Sequence, residues 1–247
     1  NIEGHLDIQD YGLFLGSFMV LLLGIVDDLK ESGAKVKFCM QLTIATLMLY
    51  FNFAITQVTI PFIGSITLKL FSLPFTIIFI VAVMNAFNLT DGLDGLVCGI
   101  SIIASFFLVL SNLIEGNEFG AVYYLALIGA CFGFIRYNFY PAKIFLGDTG
   151  SLLLGFLIAI GMLFSQNQKS IADTFIPFLF FIAVPVLDTF FAIIRRIVKG
   201  VYIFTPDKEH IHHKLIARGF SHKRAVVALY LCNALLATIG LWIKSLI

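Results

Sequence analysis

Two adjacent carboxylates, Asp27 and Asp28, close an apolar run in GIVDDLK, residues 24–30. Acids are poorly placed at a helix C-terminus, where the backbone dipole is negative, and each makes the other harder to ionise. A cation relieves both penalties. Lys30 or Lys35 at a solvated helix end is one source, and a bound metal is another. In NAFNLTDGLDGL, residues 85–96, Asn85 and Asn88 are three apart and share a helix face. Two amides in an apolar stretch are costly without partners. Asp91 and Asp94 follow, each beside a glycine that permits a tight turn. Asp94 is placed to cap the next helix, whose N-terminus favours an anion such as phosphate. Turn and cap chemistry accounts for Asp94 but not for the two asparagines.

In KIFLGDTGS, residues 143–151, Asp148 sits in a glycine-flanked turn before another apolar run. It reads either as a helix cap with no further role or as a site acid. Phe145 beside it offers a flat face for an aromatic base. The fourth motif is PDKEHIHHKL, residues 206–215. Pro206-Asp207 reads as a helix start. From that start His210, His213 and Lys214 share a face and His212 turns away. Three histidines could hold zinc, but no cysteine is near, and Arg195, Arg196, Lys199 and Arg218 surround them. That positive charge suits a diphosphate better; a solvated histidine loop is the bland alternative. Carboxylates and amides together are oxygen ligands for a hard cation, Mg²⁺ or Mn²⁺.

These residues must be held by apolar elements. Of 247 residues, 60% are hydrophobic, 27 are Phe, and only 13% are charged. A soluble domain of this length cannot hide so much apolar surface. The expected fold is an all-α integral membrane bundle of about eight transmembrane helices. The spans read as 11–26, 38–56, 73–90, 95–113, 119–136, 151–166, 171–194 and 225–246. Residues 57–70 instead alternate Val58, Ile60, Phe62, then Ile66, Leu68, Leu70 around Gly64-Ser65, which predicts a short β-hairpin. The polar opening, Asn1 to Asp10, carries no signal peptide and no initiator Met, and reads as a fragment's start.

Eight spans put 13 of the 16 Lys and Arg on the side that also carries the four motifs. The positive-inside rule makes that side cytoplasmic and the hairpin extracytoplasmic. A transporter or lipid flippase, the main alternative from another class, would place its ionisable groups near the bilayer midplane. A net charge of +1 argues against nucleic acid as a partner. Cys39, Cys98, Cys131 and Cys232 are far apart in apolar runs and read as small membrane-buried side chains. Soluble prenyl-diphosphate synthases, which also use paired aspartates, are excluded by the composition.

GIVDD, NAFNLTDGLDGL, FLGDTGS, PVLD at 185–188 and PDKEHIHH occur together, in order, across nearly the whole chain. In this the sequence resembles the polyprenyl-phosphate N-acetylhexosamine-1-phosphate transferases of glycosyltransferase family 4. His-x-His-His resembles the branch that makes undecaprenyl-diphospho-GlcNAc; the UDP-MurNAc-pentapeptide branch typically has three consecutive histidines. The resemblance implies transfer of GlcNAc-1-phosphate from UDP-GlcNAc to undecaprenyl phosphate, with release of UMP. It implies a bacterial inner membrane setting, a cytoplasmic active site and a Mg²⁺ or Mn²⁺ cofactor. Another UDP-N-acetylhexosamine donor and a homodimer stay open. Asp148 matches the metal ligand, with Asn88 a second one. Asp27 and Asp28 match the acids assigned to lipid-phosphate activation and to metal or phosphate positioning. Asp91 and Asp94 match active-site acids, Asp94 near the uracil. Phe145 matches the ring stacked on uracil, and Asn138 a neighbouring nucleotide contact. Asn85, His210, His212 and His213 fall to substrate binding, the histidines at the diphosphate. Asp188 gets either a buried partner or the lipid phosphate. Against the family pattern the chain, read as one membrane-embedded catalytic domain over 1–247, lacks two initial helices with their loop and one final helix. The fragment is therefore expected to need the parent protein for activity.

Overall fold

A computed structural model describes residues 7–30, 33–164, 168–201 and 210–247. Long runs of Leu, Ile, Phe and Ala become helices because in lipid a backbone must satisfy its own polar groups. In chain order these are α1 (Ile8–Lys30), α2 (Ala34–Tyr50), α3 (Ser72–Thr90), α4 (Leu96–Ile114), α5 (Glu118–Asn138), α6 (Gly147–Leu163), α7 (Gln168–Phe181), α8 (Ala183–Val198), α9 (Ile211–Ala217) and α10 (His222–Lys244). Every expected span falls on a helix, but the count of eight is not reproduced. Among the described residues, α1, α3 with the turn before it, α4, α5 and α10 are long and apolar enough to cross a membrane. The expected span at 171–194 is two helices, α7 and α8, bent by 77°; taken as one broken span it makes six. The apolar helix α6 has 17 residues. The segment read as 38–56 stops at Tyr50 and carries Lys35 and Lys37 in its first turn.

The bend has an identifiable cause. Pro185 lacks an N–H and leaves the Phe181 carbonyl without its helical donor. Asn233 of α10 fills that gap, donating to Phe181 O at 2.9 Å and accepting from Val184 N at 3.1 Å. Asn233 is fully buried. One side chain thus satisfies both sides of the break.

Residues 57–67 form the expected hairpin: β1 (Gln57–Ile60) pairs antiparallel with β2 (Gly64–Thr67), Val58 opposite Ile66. Its turn lies earlier than the Gly64-Ser65 expectation. Gly64 pairs with Ile60, and residues 61–63 make the turn, with Phe62 at φ 67°. The hairpin joins the C-terminus of α2 to α3, so it marks the bundle end opposite the polar motifs.

Helix α6 lies at the centre, most of it buried, with α1 and α3 against it. Close approach needs small residues there. A Cβ on Gly24 would lie 2.3 Å from Thr149 Cα, and one on Gly155 would lie 2.8 Å from Met84 Cα. Outward faces carry exposed Phe14, Phe18, Phe132, Leu235 and Trp242. Apolar surface on the outside and polar groups at the ends suit a bilayer as solvent.

Candidate active site

The C-termini of α1 and α3 and the N-termini of α2 and α6 meet at one end of the bundle. Asp28 shows how the junction is built. Its carboxylate accepts from Asp148 N at 2.8 Å, Thr149 N at 3.0 Å and Thr149 Oγ1 at 2.5 Å. An acid badly placed for its own helix dipole thus sits on the positive end of another. Gly147, at φ 65°, begins that helix, and a Cβ there would come within 2.8 Å of Asp28 Oδ2. Asp28 therefore caps α6, a role sequence reasoning offered to Asp148. The Asp148 carboxylate is left free for something else.

That something is a cation position. Lys37, one turn into α2, places its ammonium 2.7 Å from Asp27 Oδ2, 2.7 Å from Asp148 Oδ2 and 3.0 Å from Asn88 Oδ1. Asn88 also donates through Nδ2 to Asp148 Oδ1 and, at 2.9 Å, to Ser151 Oγ. Asp27 is 6% exposed, and its Oδ1 is buried without a hydrogen-bond partner. Two carboxylates face one ammonium, so the group keeps an excess negative charge. Among the described residues no three of His, Cys, Asp and Glu cluster as a ready metal cage. Two carboxylates and an amide oxygen nevertheless fit Mg²⁺, which takes one or two carboxylates and completes its octahedron with water and phosphate. The orphaned Asp27 oxygen fits the same purpose.

Asn85 is one turn back on α3 and faces α2. It exchanges hydrogen bonds with fully buried Gln41, Nδ2 to Oε1 at 2.7 Å and Nε2 to Oδ1 at 3.5 Å. Its Nδ2 also donates to Val81 O at 2.8 Å. The pair fixes α2 against α3, and so fixes where Lys37 stands.

Asp91 follows α3 beside this cluster. Burial, then the carboxylates of Asp148, Asp28 and Asp94, push its acid up to about 7. Asp94 does not cap α4 as expected. The cap position is Gly95 at φ 81°, and Asp94 instead accepts from Ala142 N at 3.0 Å. Asn138 makes the matching tie: Oδ1 accepts from Gly95 N at 3.1 Å and Nδ2 donates to Ile144 O at 3.0 Å. Both ends of the buried Asn138 amide are taken. Together they pin the 139–146 loop, from which Phe145 projects with 74% of its surface exposed.

The histidines differ from expectation. The supposed helix start, Pro206-Asp207, lies outside the described residues; α9 begins at Ile211 with His210 at its cap. His212 is not turned away. It is 2% exposed, and a Cβ on Gly92 would meet its Nε2 at 2.1 Å, so it packs on the turn after Asp91. Burial, with His213 second, lowers His212 to about 4 and keeps it neutral at pH 7. His213 and Lys214 are exposed. His210 is buried, its Nδ1 3.0 Å from Asp188 Oδ2, while Asp188 Oδ1 accepts from Ile211 N at 2.9 Å. Asp188 thus has the buried partner: it orients His210 and caps α9. The rings of His210 and His212 lie parallel at 5.6 Å, and His213 is 4.2 Å from His212.

Sequence reasoning missed Lys37 and Gln41. The signal was in α2: Lys37, Gln41, Ile44, Ala45 and Met48 follow helical spacing, and all but Lys37 in that stripe are buried.

Fold and site define a polytopic helical membrane protein whose acids, amides and histidines gather at one bundle end. The profile described as glycosyl transferase family 4 matches residues 11–166, and the chain belongs to that family. It is 38% identical over 232 residues to a Bacillus subtilis (strain 168) protein named "Probable undecaprenyl-phosphate N-acetylglucosaminyl 1-phosphate transferase", covering 94% of this chain and 65% of that one. A decaprenyl-phosphate N-acetylglucosaminephosphotransferase of Mycolicibacterium smegmatis is 36% identical, over 89% and 59%. The undecaprenyl-phosphate alpha-N-acetylglucosaminyl 1-phosphate transferase of Escherichia coli (strain K12) is 31% identical, over 94% and 65%. The chain therefore spans just under two thirds of the length of these relatives.

Proposed function

We propose that the protein transfers GlcNAc-1-phosphate from UDP-GlcNAc to undecaprenyl phosphate, releasing UMP, at the cytoplasmic face of a bacterial inner membrane. The observation that carries this reading is the convergence of Asp27, Asn88 and Asp148 from three helices on one cation position. The names of the relatives supply the donor sugar and the lipid. The excess of Lys and Arg on the motif side supports the cytoplasmic orientation.

Asp27, Asp148 and Asn88 would hold Mg²⁺ or Mn²⁺. When bound, that ion supplies charge neutralisation for the diphosphate and fixes its orientation. The chain does the rest. Asp28 holds α6 so that Asp148 faces the cluster. Asp188 holds His210 and the start of α9. His213, the exposed member of the three histidines, then faces the diphosphate beside the Asp91 turn, with His210 and His212 packed behind it. Phe145 stacks on the uracil, held out by Asp94 and Asn138. The second ionisation of a phosphate has a pKa of about 6, so the lipid phosphate is largely ionised at pH 7. Its oxygen attacks the sugar-bearing phosphorus, the bond to the UMP oxygen breaks, and UMP leaves. Little proton transfer is needed; orientation and charge stabilisation carry the acceleration.

The test is UMP release by the full-length parent with UDP-GlcNAc, undecaprenyl phosphate and Mg²⁺. UMP that depends on both substrates and on Mg²⁺ supports the reading. Release with another UDP-N-acetylhexosamine only would change the donor. Ion-coupled uptake without UMP would favour a transporter.

A further inference from the structure

We infer that Lys37 is a displaceable counter-ion: its ammonium holds the position that the divalent cation takes, and cation binding releases it to the phosphate groups of the substrates. The inference rests on the metal-site reading above.

An ammonium has three donors, and here all three are used on one residue each, at 2.7, 2.7 and 3.0 Å. A side chain so placed cannot share its position with a metal, whose oxygens sit at about 2.1 Å for Mg²⁺. The three oxygens need move inward by less than an ångström, on the order of the difference between these distances, to pass from one cation to the other. The charge balance favours the exchange. One ammonium leaves two carboxylates under-compensated and Asp27 Oδ1 unpartnered. A divalent ion matches the pair. Without any cation, Asp27 and Asp148 would repel across the gap between them, while Asp28 on α6 and Gln41 on Asn85 still hold the helices together. Lys37 therefore keeps the two carboxylates together until the metal arrives.

Displacement has a chemical consequence. The lysine side chain is 13% exposed and leads from the first turn of α2, at the rim of the cluster. Released, it remains beside the metal as a second cation. One binding event thus converts a self-neutralised site into one that presents a metal and an ammonium together, as a diphosphate needs. Coupling of this kind is reciprocal, so phosphate ligands tighten metal binding in turn.

The experiment uses the whole chain in detergent, stripped of metal by chelation. Lysine acylation is followed residue by residue by mass spectrometry, with exposed Lys223 as internal reference. Lys37 should label far more slowly than Lys223, and saturating Mg²⁺ should raise its rate several-fold without changing Lys223. In parallel, Mn²⁺ binding is read by electron paramagnetic resonance. Lys37→Met should bind Mn²⁺ more tightly, on the order of tenfold, because no side chain competes; Lys37→Arg should stay near wild type. Unchanged Lys37 labelling while Mn²⁺ is bound overturns the displacement and leaves the metal site standing. Equal or weaker Mn²⁺ affinity in folded Lys37→Met also overturns it. No Mn²⁺ binding in any form removes the metal site itself, and the displacement with it. Should Lys37→Met not fold, the wild-type labelling decides.

Discussion

Two lysines sit among acids at opposite ends of this bundle, and the contrast separates structure from chemistry. At the hairpin end, Lys244 of α10 is buried and pairs with Glu115 at the end of α4. Thr174 of α7 donates to Glu115 at 2.7 Å and accepts from Lys244 at 2.9 Å. There a lysine, a glutamate and a threonine bond one another, and three helices are tied. At the motif end Lys37 meets two carboxylates, and a buried acceptor of Asp27 stays unmatched. An ion pair that ties helices in this way is a fastening. An imbalance held in place by four elements is what the proposed divalent-cation site would draw on.

Changes at the motif end should alter turnover more than stability, and changes at the hairpin end the reverse. In the parent protein, Asp148→Ala should lower UMP formation by roughly 10³-fold or more. It should also flatten the Mg²⁺ dependence, with the thermal midpoint nearly kept. Near-normal turnover would break the comparison. Lys244→Met removes the ammonium that pairs with partly buried Glu115, at a cost of roughly 1–3 kcal/mol. Thermal melting in detergent should show that loss, and activity below the midpoint should persist. Asp188→Asn should lower kcat/KM for the nucleotide sugar by roughly 10- to 100-fold, as loss of a carboxylate that orients a histidine does elsewhere. Combined with His210→Ala it should add little, since both act through one ring.

The smallest effect concerns pH. His212 titrates near 4 when folded, against an ordinary value of 6.5. Between those values the unfolded chain holds a proton that the folded one refuses. Stability therefore falls as pH drops from about 7 to about 4, by at most roughly 3 kcal/mol from this group. Melting curves of His212→Gln should lack that part of the acid loss. An identical pH slope in variant and wild type would show that His212 is not buried on the Asp91 turn.

Much of this was legible in the sequence, and what was not has physical reasons. Apolar length located the long apolar helices, but length cannot report a 77° bend; that needed Pro185 and its distant partner Asn233. The carboxylates announced themselves by being adjacent or glycine-flanked. Their division of labour did not, because Asp28 caps a helix 120 residues away. Lys30 and Lys35 looked like the natural neutralisers, being nearest in sequence. The phase of α2 selects Lys37: it lies on the stripe of Gln41, Ile44, Ala45 and Met48, and the Gln41–Asn85 pair fixes where that stripe faces. The His212 error arose the same way. His210 precedes α9 with extended backbone, so helical spacing counted from it does not apply, and only the packing on Gly92 shows which way His212 faces.

The central claim is that Asp27, Asn88 and Asp148 form one divalent-cation site. Crystals of the parent protein grown with Mn²⁺ and measured at the manganese edge test it most directly. The account requires a single anomalous peak at bonding distance from Asp27, Asp148 and the Asn88 amide oxygen, with the Lys37 ammonium moved away. A peak among His210, His212 and His213, or manganese bound while Lys37 keeps its three contacts, would contradict it.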